Sequence, residues 1–234
     1  MKTPRLVPLT CLLCDELCEG PMPICLGCEH DLPWRGPHCE VCAKPLSHDG
    51  LICGACLSLA PRFYKTIAPW HYRLPIDSLI TRFKHQGQWQ YGKFLALLLA
   101  RHLEHLYGQS LAKPDCLIAV PLTTKRLRQR GFNQAQMLCD WLGQHLAIKV
   151  LGDVVVRSKE TLSQQQLTAK ARKANLSRAF SLKHNLVKNA HVAVVDDVLT
   201  TGATAQAMAK VLYQAGAKRI DIYCLARTPA PGEL

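Results

Sequence analysis

The chain has 234 residues, 48% hydrophobic and 20% charged, a globular composition that excludes global disorder. Its longest strongly apolar run, Phe94 to Ala100, falls far short of the ~20 residues a membrane-spanning helix needs, and the stretch from Met1 to Leu13 lacks a long apolar leader core. We therefore expect a cytoplasmic protein without membrane insertion. The net charge of +12 is concentrated, with twelve Lys and Arg against three acids between Thr124 and His184. Such a face suits a polyanion, either nucleic acid or a small phosphorylated metabolite, and a solvated surface is the other reading.

Four C-x-x-C pairs open the chain: Cys11/Cys14, Cys25/Cys28, Cys39/Cys42 and Cys53/Cys56, each separated from the next by ten residues. Thiolates three positions apart can grip one ion from a tight turn, and two such turns complete a tetrahedral site. A disulfide framework would suit a secreted protein instead, and a redox-active C-x-x-C would not need four copies. The spacing therefore predicts two structural Zn²⁺ ions. Sequential pairing would place Cys11, Cys14, Cys25 and Cys28 on one ion and Cys39, Cys42, Cys53 and Cys56 on the other. A cross-braced pairing fits the equal spacing as well, although sequential ribbons are preferred. Cys18 is either free or a replacement ligand. So short a segment buries little apolar surface and draws its folding free energy from the metal. We place it at residues 1–60, with a second domain over 61–234.

Beyond Pro61, Thr66 to Tyr72 reads as a strand pushed to a sheet edge by Pro69. Helices follow at Ile76–Lys84, closed by His85-Gln86-Gly87, and at Phe94–Leu106, where His102 belongs to a core stripe. Cys116 to Leu122 predicts a buried strand, Asn133 to Leu146 a helix, Val154 to Val156 a strand and His191 to Val198 another. Ala203 to Ala215 predicts a helix closed by Gly216, and Ile220 to Leu225 a last strand. This alternation implies an α/β fold, a parallel sheet with helices on both faces. Cys116, Cys139 and Cys224 lie inside these elements and read as core residues. Trp70, Tyr72, Trp89, Tyr91 and Phe132 are candidates for stacking on nucleobases, with core packing expected for most.

The run VAVVDDVLTTGAT, Val192 to Thr204, stands apart. An apolar strand meets Asp196 and Asp197, and a loop of Thr200, Thr201, Gly202, Ala203 and Thr204 then opens a helix. In a parallel sheet, ligands bind beyond the carboxyl ends of the strands. Amides at a helix start and threonine hydroxyls suit a phosphate. The two carboxylates suit sugar hydroxyls one step away. A phosphate beside a diol describes ribose 5-phosphate.

Asp196 to Thr204 resembles the phosphoribosyl-pyrophosphate (PRPP) motif of type I phosphoribosyltransferases. Together with the cysteine pairs, with Arg130-Gly131-Phe132-Asn133-Gln134 and with the later run holding Thr161, Gln165, Leu167, Arg172, Asn175 and Phe180, it resembles the ComF family, GntX-type members included. The resemblance implies a phosphoribosyltransferase-like, Rossmann-like domain after a double zinc ribbon. It implies that Thr200 to Thr204 hold the 5-phosphate of PRPP and that Asp196 and Asp197 act at the ribose, as the catalytic pair if transfer occurs. Mg²⁺ would arrive with PRPP. The loop of Pro121 to Arg130, with Arg126, Arg128 and Arg130, would face the pyrophosphate, and Val120–Pro121 is the place where a cis peptide would cost least, trans being the default. Arg157, Gln165, Arg172 and Asn175 would belong to a flexible lid, or to a plain surface loop. The family also implies a role in natural transformation and DNA uptake, with single-stranded DNA and competence-machinery proteins as partners. An active phosphoribosyltransferase with an unidentified acceptor is the alternative.

Overall fold

The computed structural model describes residues 9–157 and 179–228. Two short helices, α1 (Leu26–His30) and α2 (Gly54–Ser58), each follow a cysteine turn in the N-terminal segment. Beyond them the chain forms β1 (Lys65–Ile67), β2 (Trp70–His71), α3 (Ile76–Gln86), α4 (Trp89–Gln109), β3 (Cys116–Ala119), α5 (Thr124–Arg130), α6 (Gln134–Leu146), β4 (Lys149–Val150), β5 (Val155–Arg157), β6 (Phe180–Leu182), β7 (His191–Leu199), α7 (Ala203–Gln214) and β8 (Arg219–Arg227).

The main sheet is parallel throughout, in the order β1-β8-β7-β3-β4, and β2 continues β1 along β8. Its central strands are Val-, Ile- and Leu-rich, as strands covered on both faces must be. Val192 to Val195 are all fully buried. The crossover β3–α6–β4 runs one way along the sheet and β7–α7–β8 runs the other. Right-handed crossovers therefore put α6 and α7 on opposite faces. The strand order switches direction between β3 and β7, and in open α/β sheets the carboxyl ends at such a switch point are where ligands bind. β5 and β6 form a separate antiparallel pair.

The N-terminal segment closes the free edge of the sheet. Trp34 bridges Trp70 antiparallel, the Arg35 amide donates to the Pro69 carbonyl and the His71 amide to the Pro33 carbonyl, both at 2.9 Å. Pro69 thus divides the predicted edge strand into β1 and β2. Leu32 and Ile24 join the main core, whereas Cys39, Cys53 and Cys56 form a small core of their own.

Several expectations need correction. α4 begins at Trp89, earlier than the apolar stripe indicates, and in its first turn Gly92 sits where a Cβ would lie 2.6 Å from the Phe83 ring. It is a helix-crossing residue there, not a breaker. Lys125 to Arg130 are helical in α5, capped by the Thr123 hydroxyl. Val120–Pro121 is trans, as the default has it, and the cis peptide lies at Leu74–Pro75, which the sequence did not single out. β4 and β6 are too short to show a pattern. Cys116, Cys139 and Cys224 are buried as expected. No helix among the described residues is long and apolar enough to cross a membrane.

Candidate functional site

The cysteines assemble in sequential pairs. The sulfurs of Cys11, Cys14, Cys25 and Cys28 lie within 4.8 Å of one another, as do those of Cys39, Cys42, Cys53 and Cys56. None of them is joined in a disulfide. Cys14 and Cys25 approach to 3.7 Å and Cys42 and Cys53 to 3.6 Å. Tetrahedral zinc with Zn–S of ~2.3 Å requires sulfurs about 3.8 Å apart, so both sets fit the ion. Backbone amides already serve the sulfurs, with Cys28 donating to Cys25 at 3.5 Å and Cys53 to Cys39 at 3.3 Å. Burial opposes ionisation of Cys11, but the amides of Cys25, Leu13 and Cys14 outweigh it and bring the thiol down to about 6. Cys39 falls to about 7 in the same way. Cys18 is half-buried and belongs to neither set.

The second site lies at the switch point. β7 carries the two carboxylates three and two residues before its end at Leu199, and each surrenders one oxygen to the next amide: Asp197 N–H to Asp196 Oδ1 at 2.9 Å, Val198 N–H to Asp197 Oδ1 at 3.0 Å. Asp197 is 4% exposed, and its Oδ2 pairs with Lys84 Nζ at 2.6 Å. Asp196 is half-buried, and desolvation, reinforced by the Asp197 charge, pushes its carboxyl well above the usual range. Beyond them Gly202 caps α7 at φ 76°, a left-handed conformation that glycine adopts without strain. A Cβ on Gly202 would meet nothing within 4 Å, so the space over the loop is open. Thr201 Oγ1 accepts from the Ala203 amide at 3.4 Å. Arg227 Nη1 donates to the Thr200 carbonyl at 3.1 Å and fixes the start of the loop.

Cations surround the carboxylates. Burial lowers Arg130 from its ordinary value, and the Asp197 charge opposes the shift. Arg130 also donates to Gln134 Oε1. Burial lowers Arg157 too, followed by the charge of Arg126, with Asp196 opposing. Arg157 stacks over Phe180 at 5.3 Å. His85 is held below its ordinary value by burial, then by Arg130 and Lys84. Arg130 and Arg157 are thus brought to the carboxylates, whereas Arg126 and Arg128 are both exposed on α5. Gln165, Arg172 and Asn175 lie outside the described residues.

Lys84, His85 and Arg227 were not found by sequence reasoning. Lys84 reads as an ordinary last-turn helix lysine, and no local signal joins it to a carboxylate 113 positions later. Of the stacking candidates, Trp70 is fully buried and Phe132 packs on Phe83 at 5.7 Å. Trp89 is 57% exposed.

Fold and sites together define a class: a double zinc ribbon joined to an α/β domain of phosphoribosyltransferase type. Residues 4–57 match the double zinc ribbon domain family and residues 134–234 the phosphoribosyl transferase domain family. The chain is 37% identical over 209 residues to Competence protein F of Haemophilus influenzae, covering 87% of this chain and 90% of that one. It is 34% identical over 224 residues to DNA utilization protein YhgH of Escherichia coli K12, covering 95% and 98%. It is 24% identical over 243 residues to Competence protein ComFC of Bacillus subtilis, covering 94% and 95%. The chain belongs to the ComF family. Among solved structures, purine phosphoribosyltransferase from Pyrococcus horikoshii is a loose likeness: TM-score 0.36 and 21% identity over 57% of this chain and 70% of that one.

Proposed function

We propose that this protein binds Mg²⁺–PRPP at the carboxyl end of β7 and handles single-stranded DNA in a competence-related, DNA-uptake role. The observation that carries the ligand reading is the junction of β7 with α7, where two carboxylates are followed by an open loop turned by Gly202. Thr200 to Thr204 would hold the 5-phosphate through amides and hydroxyls. Asp196 and Asp197 would accept from the ribose hydroxyls, with Lys84 giving way at Asp197. Arg130 and Arg126 would face the pyrophosphate, and Arg157, at the root of the 158–178 segment, the same anion. Mg²⁺ suits this oxygen-rich donor set and would neutralise pyrophosphate charge, held mainly by substrate and water. The DNA reading rests on the names of the relatives and on the exposed bases of α5, Lys125, Arg126 and Arg128. We place the ribbon at 1–60 and the ligand domain at 61–234, with competence-machinery proteins as further partners.

The carboxylate pair, with Lys84 on Asp197 and Arg130 and Arg157 nearby, favours a second activity, transfer. An acceptor would attack C1 of the ribose as the C1–O bond to pyrophosphate breaks, and the carboxylates would steady the positive ring.

The test is calorimetric titration of Mg²⁺–PRPP into the wild type and into the Asp196→Asn/Asp197→Asn variant. We expect saturable binding by the first and none by the second. No binding by a folded, zinc-loaded wild type overturns the ligand reading. A single-stranded oligonucleotide should bind with an affinity that falls as salt rises, because phosphate contacts release counterions. A salt-independent affinity overturns the role of the basic face.

A further inference from the structure

Arg227 is 9% exposed and stands between the two kinds of site. Its Nε donates to the Cys42 carbonyl at 2.9 Å, in the turn of the second cysteine set. Its Nη1 donates to the Thr200 carbonyl at 3.1 Å and to the Thr228 carbonyl at 2.7 Å. One rigid guanidinium thus spans a metal knuckle and the first residue of the 200–204 loop. No equivalent tie leads to that loop from the first cysteine set among the described residues.

Charge makes the junction specific. Arg227 has no carboxylate partner among the described residues. Arg35, beside it, donates through Nη1 to the Ala43 carbonyl, while its Nε and Nη2 are buried without a partner. Burial, then the neighbouring charge of Arg227, lowers Arg35 to about 10, and Cys39 and Cys42 are the groups that oppose this. Two desolvated guanidiniums side by side require counter-charge. Zinc held by four thiolates carries a net charge of about −2, which matches two arginines. The second set thus has one cationic partner from its own segment, Arg35, and one from the end of β8, Arg227.

We infer that Arg227 is a positioning residue that makes the shape of the 200–204 loop depend on metal in the second cysteine set and not in the first. A knuckle this small keeps its turn only with its ion bound. With the ion gone, the Cys42 carbonyl leaves its place and Arg227 loses the anchor from which it holds Thr200. This rests on the reading of residues 200–204 as the phosphate loop only where ligand affinity is concerned, since the tie itself is independent of any ligand.

The experiment is hydrogen exchange on the full chain, read at the amides of residues 200–204 and, as a control, at Val192 to Val195, alongside zinc content and Mg²⁺–PRPP affinity. Arg227→Gln and Cys53→Ser should each speed loop exchange about tenfold without moving the β7 control. Arg227→Lys, whose point charge cannot serve Cys42 and Thr200 together, should resemble Arg227→Gln. Cys25→Ser, which empties the first set, should leave the loop at the wild-type rate. PRPP affinity should fall in step with loop exchange. Unchanged loop exchange in Arg227→Gln, or equal loss in Cys25→Ser and Cys53→Ser, overturns the inference. If Arg227→Gln does not fold, the cysteine pair of variants decides alone. If the wild type binds no PRPP, the proposed ligand falls, and the exchange comparison still decides the coupling.

Discussion

Replacing Lys84 by methionine tests how the carboxylate site is held together. Asp197 is 5% exposed at its side chain, Lys84 is 28% exposed, and the two meet at 2.6 Å. At an effective dielectric near 20, two unit charges at this distance attract by about 6 kcal/mol before desolvation is subtracted. Breaking a buried pair by removing one partner costs ~3–5 kcal/mol. The lysine is partly wet, and water can reach the vacated place, so we expect about 2–3 kcal/mol. Methionine keeps most of the apolar stem, which confines the loss to the charge. With a urea slope of ~2–3 kcal/mol/M for a chain of this size, the unfolding midpoint should drop by about 1 M. The assay is urea unfolding at pH 7 with saturating zinc, on wild type, Lys84→Met, Asp197→Asn and the double variant. The cycle should show coupling of at least ~1.5 kcal/mol, because the double variant no longer strands a charge. A single-variant loss below ~0.5 kcal/mol, or strict additivity, would show that the ion pair does not hold the site.

Three further outcomes follow from the same geometry. Asp196 has its carboxyl raised by burial and by Asp197, so it binds more protons folded than unfolded. Its share of stability is present at low pH and is lost as pH rises from the ordinary carboxylate value through the raised one. Asp196→Asn should therefore be more stable than wild type at neutral pH, with the difference vanishing on acidification; a constant difference in pH-dependent melts would refute this. Gly202→Ala adds no clash but forces φ 76° on a residue with a Cβ. It should cost about 1 kcal/mol in denaturant unfolding, and more than ~3 kcal/mol would mean an unseen steric contact. Gly92→Ala drives a methyl into the Phe83 ring and should lower stability by about 1–3 kcal/mol by forcing α3 and α4 apart. Phe83→Leu in the same chain should recover part of that loss.

The strands that build the site were legible because they are continuous apolar runs bounded by sharp changes of chemistry. Val192 to Val195 read as a buried strand, and the abrupt Asp196-Asp197 marked where its last residues, through Leu199, meet the site. The cysteine pairs were legible for the same reason, since a period in reactive residues survives without an alignment. Their sequential pairing was preferred, although the spacing serves either arrangement, and the two sulfur groups bear the preference out. α5 was missed because Lys125 to Arg130 have no apolar stripe; only the Thr123 cap and Gly131 at φ 81° reveal the helix in retrospect. Lys84, His85 and Arg227 come to the site from elements far along the chain. Contacts of that kind are set by the sheet order, and no window of sequence contains them.

The pairing of Pro33 to Arg35 with the β1/β2 edge has a consequence for the handling of the protein. An uncovered parallel edge strand offers unpaired amides and carbonyls to any neighbouring chain. Here the cover is lent by the cysteine-bearing segment, through the two backbone hydrogen bonds that make up the Trp34–Trp70 bridge. Stripping zinc, or expressing the α/β domain from residue 61 onward, would therefore uncover the Trp70 edge as well as release an appendage. Such material should self-associate through that strand and leave solution, so chelators during purification would mimic an insoluble protein when the cause is an unzipped edge.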